Sequence, residues 1–134
     1  MLNTFPELLT YSQMAPFILR VVIGLIFLDL GLLKFKAEKS RWIASLQALG
    51  IGSPEIFVSL LGALEIIGGI MLIIGIYTQV AALGFIILTG LEIYIEYKEA
   101  ALLKRNIVFY VLLCSIALSL LLTGAGAFAF DIPL

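Results

Sequence analysis

The chain has 134 residues, 63% of them hydrophobic and 13% charged, with a mean hydropathy of +1.20. A soluble domain carries about 45–50% apolar and about 25% charged residues, so this chain has too little polar material to coat a globule in water, and a lipid bilayer is the solvent that suits it. The net charge is −1, and one cysteine (Cys114) with no histidine excludes an intrachain disulfide, a Cys-X-X-Cys redox pair, a His-ligated haem and an ordinary zinc site. No metal site, covalently bound cofactor or nucleic-acid partner is expected.

Residues 1–15 lack the basic region of a cleavable signal peptide, and the apolar run that follows is expected to stay in the mature protein. That run, about 14–35, predicts a first transmembrane helix. Residues 38–50 predict a short interfacial segment, because Trp42, Leu46 and Leu49 share one face of a helix at i, i+4 and i+7. Its tryptophan is expected at headgroup level. Ser53-Pro54-Glu55 then reads as a helix start, with a serine cap, a proline in the first turn and an acid at the positive end. A second transmembrane helix follows at about 55–77 and a third at about 79–97. Only Thr78-Gln79 separates their apolar runs, so a tight antiparallel hairpin is expected there. A fourth helix is predicted at about 106–123. Continuous apolar runs, without alternation, argue against strands. The expected fold is therefore all-α: an integral membrane four-helix bundle, antiparallel and up-down, forming one domain over 1–134 with the interfacial helix between helices one and two.

Basic residues set the expected orientation. Lys34, Lys36, Lys39 and Arg41 lie between the first two runs, and Lys98, Lys104 and Arg105 between the last two. The N-terminal segment, the Thr78-Gln79 turn and the segment after Thr123 have none. By the positive-inside rule both loops are cytoplasmic and both termini outside, in the cytoplasmic membrane of a prokaryote.

Charges inside the runs are the informative residues, because each costs about 2.5–3.5 kcal/mol at the bilayer centre on insertion scales. In the first helix Arg20, Gly24, Phe27, Gly31 and Lys34 recur at spacings of 4, 3, 4 and 3, within a stripe of about 80° that should face the other helices. Asp29 projects to roughly the opposite side. Glu65 falls near the middle of the second helix, and Glu92 and Glu96 lie one turn apart on the third, with Phe85 and Thr89 on the same side. Counting depth at about 1.5 Å per residue groups Arg20 with Glu65 and Asp131, and Lys34 with Glu96 and Glu92. The candidate polar site is thus Arg20, Glu65 and Asp131 with Phe27 or Phe85 as a ring wall; Lys34, Asp29, Glu92 and Glu96 make a second buried charge cluster.

Three blocks of this pattern, Arg20-x3-Gly24-x2-Phe27-x3-Gly31-x2-Lys34, Glu65-x2-Gly68-Gly69-x2-Leu72-x2-Gly75-x2-Thr78 and Gly124-x-Gly126-x4-Asp131, together resemble the DoxX family of small bacterial and archaeal membrane proteins. The chain departs from the family at Ala125 and Ala129, where proline and serine are usual, and in having only Glu92 and Glu96 where the third helix often carries a histidine. The family is named for a membrane subunit of thiosulfate:quinone oxidoreductase, and other members are linked to redox-stress complexes. The resemblance implies a membrane subunit that presents a quinone site to a redox partner protein. A quinone needs an apolar slot, donors at its carbonyls and a carboxylate to exchange protons. With no cofactor ligands of its own, the chain would take electrons from a partner or a soluble substrate and would not be a complete enzyme alone. Two other classes stay open: a small proton- or solute-conducting homo-oligomer, and a non-catalytic scaffold in which the charges only lock helix register.

Overall fold

The computed structural model describes residues 6–98 and 107–131. Lys104 and Arg105, whose charges helped set the expected orientation, lie outside the described residues, as does residue 106, the expected start of the fourth helix. Among the described residues the chain is all-helical: a short 3-10 helix, Pro6–Tyr11, precedes α1 (Met14–Phe35), α2 (Lys39–Ala48), α3 (Pro54–Ile74), α4 (Thr78–Lys98) and α5 (Ile107–Thr123). Three segments, Met14–Phe35, Pro54–Ile74 and Thr78–Ile95, are long and apolar enough to cross a membrane; α5 is a shorter apolar helix of 17 residues.

The closest packing is between α1 and α3, and α4 pairs mainly with α5. Glycines permit the α1–α3 approach. A Cβ on Gly24 would stand 2.9 Å from the Gly69 carbonyl oxygen, and one on Gly31 would stand 2.7 Å from that of Gly62. Only residues without side chains let two helix backbones come that near.

The α3–α4 connection differs from the expected Thr78-Gln79 turn. Gly75 ends α3 in the left-handed conformation (φ 78°), its amide and that of Ile76 both donating to the Met71 carbonyl; a Cβ would be strained there. Thr78 is already the first residue of α4. At the other end of α3, Ser53 occupies the cap position and Pro54 the first turn, but the serine hydroxyl makes no capping bond.

The helix α2 also departs from expectation. Its Trp42 is covered by protein and not open to its surroundings: it is 2% exposed and packs with Leu46, Val58 and Ile95. The same i, i+4 face that suits an interface has been used to seal the lower end of the helix packing, where α1 stops and α2 begins. At the upper end, where α1 starts, the segment after α5 folds back over the helices. Positive φ at Gly124, Gly126 and Phe128 reverses it, Ala127 donates to the Gln13 carbonyl, and Asp131 donates to that of Gly75.

Candidate functional site

The buried polar side chains of α1, α3 and α4 form layers. On α1, Arg20, Phe27 and Lys34 are successive at seven residues; on α4, Thr78, Phe85 and Glu92 repeat that interval. All six are buried. Seven residues advance a helix about 10 Å, so an aromatic layer separates an upper polar layer from a lower one.

In the lower layer the Lys34 ammonium donates to Glu65 Oε1 at 2.6 Å and to Glu92 Oε1 at 2.7 Å. Its other flank faces the Trp42 ring, 4.3 Å from the centroid, a cation–π contact that closes the site from below. The second oxygens of both glutamates are buried and receive no donor, while the two carboxyl groups neighbour each other. Two carboxyls face one ammonium, so the cluster holds one more acid than base in a setting where solvent is absent.

The middle layer is Phe27 on Phe85, parallel within 4° and 3.6 Å between centroids. Gly68 makes room for it, since a Cβ there would meet the Phe85 ring at 2.6 Å.

In the upper layer the Arg20 guanidinium donates to the carbonyls of Ala125 (2.8 Å) and Phe128 (2.6 Å). Asp131 accepts from the amides of Tyr77 and Thr78 at 2.7 and 2.6 Å, capping the start of α4 from the far end of the chain. Partial burial pushes its carboxyl up, but the bonds from Thr78 and Tyr77 and the nearby Arg20 charge prevail and hold it below the usual carboxylate range. A cleft of about 500 Å³ opens here, lined by Gln13, Tyr77, Thr78, Thr123, Gly124 and Asp131 among others.

The expected groupings are therefore corrected. Glu65 does not join Arg20 and Asp131; it joins Lys34 and Glu92. Arg20 and Asp131 attract each other but make no direct ion pair among the described residues. Helical side chains lean toward the N-terminus of their helix. On α1, which runs downward, Arg20 leans up and away from the middle, while Lys34 leans up into it. On α3, which runs upward, Glu65 leans down to meet Lys34. Asp29 is no member of the buried cluster, being exposed on the outer face of α1; nine residues from Arg20 is half a turn out of phase with the buried stripe. The Glu96 side chain lies outside the described residues. Trp42, which sequence reasoning had placed at a membrane surface, is part of the lower layer.

The family model for DoxX matches residues 15–98, which include the whole lower layer and the aromatic pair. The chain belongs to the DoxX family. Among curated proteins this DoxX chain is 32% identical over 120 residues to "Putative oxidoreductase CatD" of Bacillus subtilis (strain 168), covering 89% of this chain and 86% of that one. It is 32% identical over 69 residues to "Uncharacterized membrane protein Rv3486" of Mycobacterium tuberculosis, covering 52% of this chain and 42% of the other. No solved structure matches. It is a membrane protein of the DoxX family, and its buried polar layers face one another across stacked rings.

Proposed function

We propose that this DoxX protein is the membrane subunit of a redox system, and that Lys34, Glu65 and Glu92 exchange protons with a quinone-class ligand bound against Phe27 and Phe85. In this reading α1, α3, α4 and α5 all cross the cytoplasmic membrane, with α2 along its inner surface and both termini outside, in accord with the loop lysines and arginines. The observation that carries the proposal is the lower layer: two buried carboxyls on one ammonium, each with an unpartnered oxygen, two helical turns from a planar aromatic stack. Reducing a quinone consumes two electrons and two protons. The carboxyl pair supplies a proton-exchanging group in a dry setting, and a flat ring replaces or slides beside one phenylalanine with little loss of stacking. Electrons come from outside the chain, from a partner protein or a soluble substrate, because it has neither histidine nor a cysteine pair to hold a redox centre. The oxidoreductase name carried by the Bacillus subtilis relative supports the reaction class.

The single tryptophan, Trp42, lies against Lys34 and reports on the site. Titrating the reconstituted protein with a short-chain ubiquinone or menaquinone analogue should quench its fluorescence saturably. Glu65→Gln leaves Lys34 and Glu92 as a neutral pair, so the fold survives while binding weakens about tenfold, the worth of one charge-assisted hydrogen bond. Phe27→Ala should weaken binding further. Saturable quenching that is identical in folded Glu65→Gln and Phe27→Ala proteins, or no quenching at all, would overturn the proposal and leave the cluster as a lock on helix register.

A further inference from the structure

The outward face of α1 carries a second unusual feature. Ile18, Val22, Leu25 and Leu32 are 54%, 46%, 56% and 40% exposed, and the row they form is interrupted by Asp29, also exposed. Asp29 is six residues from the end of α1 at Phe35, about 9 Å along the axis, and its side chain is too short to snorkel out as a lysine or arginine does. Among the described residues it has no hydrogen-bonding or ionic partner. An ionisable group inside a membrane span almost always faces protein or water, because acyl chains offer it nothing. A surface that this chain leaves open around Asp29 is a surface for another helix.

We infer that the Ile18–Val22–Leu25–Asp29–Leu32 face of α1 is the seam of a parallel homodimer, with Asp29 of the two copies hydrogen-bonded across the two-fold axis. The spacing from Ile18 to Leu32 is 4, 3, 4, 3, the heptad row of a left-handed helix pair. Copies inserted in one orientation necessarily run their α1 helices parallel, which sets each residue of the row against its own counterpart. For most charges that would repel, but a carboxyl is self-complementary: two of them sharing a proton are donor and acceptor at once. Lys36, exposed just past the end of α1, adds a positive charge near the inner end of the row. A single polar position in an otherwise Leu, Ile and Val row sets register and restricts the assembly to two. The seam lies on the side of α1 opposite Lys34 and does not depend on what the buried layers bind.

Cross-linking and dilution test it. In a Cys114→Ser background, Leu25→Cys and Leu32→Cys should form disulfide dimers in oxidised native membranes, and Ile67→Cys, on the exposed face of α3, should not. By energy transfer between labelled copies in liposomes, Asp29→Leu should raise the dimer dissociation constant about tenfold with no fall in Tm at dilutions where both proteins are monomeric, while Asp29→Asn, still a donor and acceptor, should stay near wild type. A wild-type protein that is monomeric even at high protein-to-lipid ratio overturns the inference, and so does equal cross-linking through Ile67→Cys. So too would an Asp29→Leu protein that dimerises as tightly as wild type, or one whose monomer loses thermal stability, which would assign Asp29 a partner within its own chain. A monomeric wild type that binds another membrane protein through Asp29 gives the seam to a different occupant and likewise overturns it.

Discussion

The two buried cations of α1 are satisfied in opposite ways. Arg20 spends its fork of donors on two backbone carbonyls of the C-terminal segment, which are neutral, fixed and part of the same chain. Lys34 is held by two carboxylates from two different helices. A planar guanidinium with five donors suits a loop that offers several oxygens in one plane, whereas an ammonium is a point charge that is best met by concentrated negative charge. The upper arrangement fastens a loop to neutral acceptors, with Arg20 Nε and Thr78 Oγ1 buried and unpartnered beside them. The lower one is overprovided with acid, with two unpartnered oxygens that carry no ammonium contact, so one carboxyl could take a proton while the other stays paired with Lys34. On the proposed function, closure and proton exchange are divided between the ends of one helix.

Removing Lys34 is the most damaging way to break this division. Lys34→Met leaves two glutamates facing each other in a dry interior, and loss of one member of a buried ionic set costs about 3–5 kcal/mol. A large fall in Tm in detergent or nanodisc is expected. Adding Glu65→Leu and Glu92→Leu should recover most of it, because the apolar triple mutant has no buried charge left to neutralise. Arg20→Ala should cost less, about 1.5–3 kcal/mol for the lost charge-assisted bonds, and the damage should be local: limited proteolysis should cut within 124–131 while α1, α3 and α4 stay protected. Global unfolding at Arg20→Ala and local loosening at Lys34→Met would reverse the comparison.

The all-helical architecture was legible because apolar runs of helical length announce themselves without reference to neighbours, and α1, α3, α4 and α5 each lie on such a run. The pairing of charges was less so. Residue counting locates a Cα, but an arginine or lysine ends about 6 Å from it in a direction set by helix polarity, and that offset moved Glu65 from Arg20 to Lys34. A correct inference was available from the known lean of helical side chains in antiparallel neighbours. The acceptors of Arg20 were not available at all, since the carbonyls of Ala125 and Phe128 leave no mark on side-chain identity. Trp42 misled for a third reason: an amphipathic face records that one side is apolar, not whether lipid or protein covers it.

The spacing of the two layers depends on α1 lying close against α3, and the glycines there offer a finer test. Gly31→Ala brings a Cβ to 2.7 Å from both the Gly62 carbonyl oxygen and Ile66 Cγ1. A backbone atom cannot rotate aside, so the helices must part next to Lys34, at about 1–3 kcal/mol for overpacking. The lower layer should feel it first, as a change in Trp42 fluorescence before any change in protection of 124–131. Gly84→Ala meets open space and should be neutral or slightly stabilising, through helix propensity alone.

The smallest loss of stability belongs to Asp131, and its sign separates the layers most cleanly. Folding holds this carboxyl below its usual range through the amides of Thr78 and Tyr77 and the Arg20 charge, against a smaller opposing effect of burial in sum. A carboxylate whose proton affinity falls on folding stabilises the folded state fully above the ordinary carboxylate range, and that contribution disappears as pH drops through the depressed folded value. Asp131→Asn should therefore cost under about 1 kcal/mol at neutral pH, as expected for a partly exposed helix cap. The difference in Tm between wild type and variant should be flat above pH 5 or so and shrink only in stronger acid. A difference that grew with acidification would mean that the carboxyl is protonated in the folded protein, and the upper layer would then share with the lower one the capacity for proton exchange that Arg20 and the backbone carbonyls otherwise deny it.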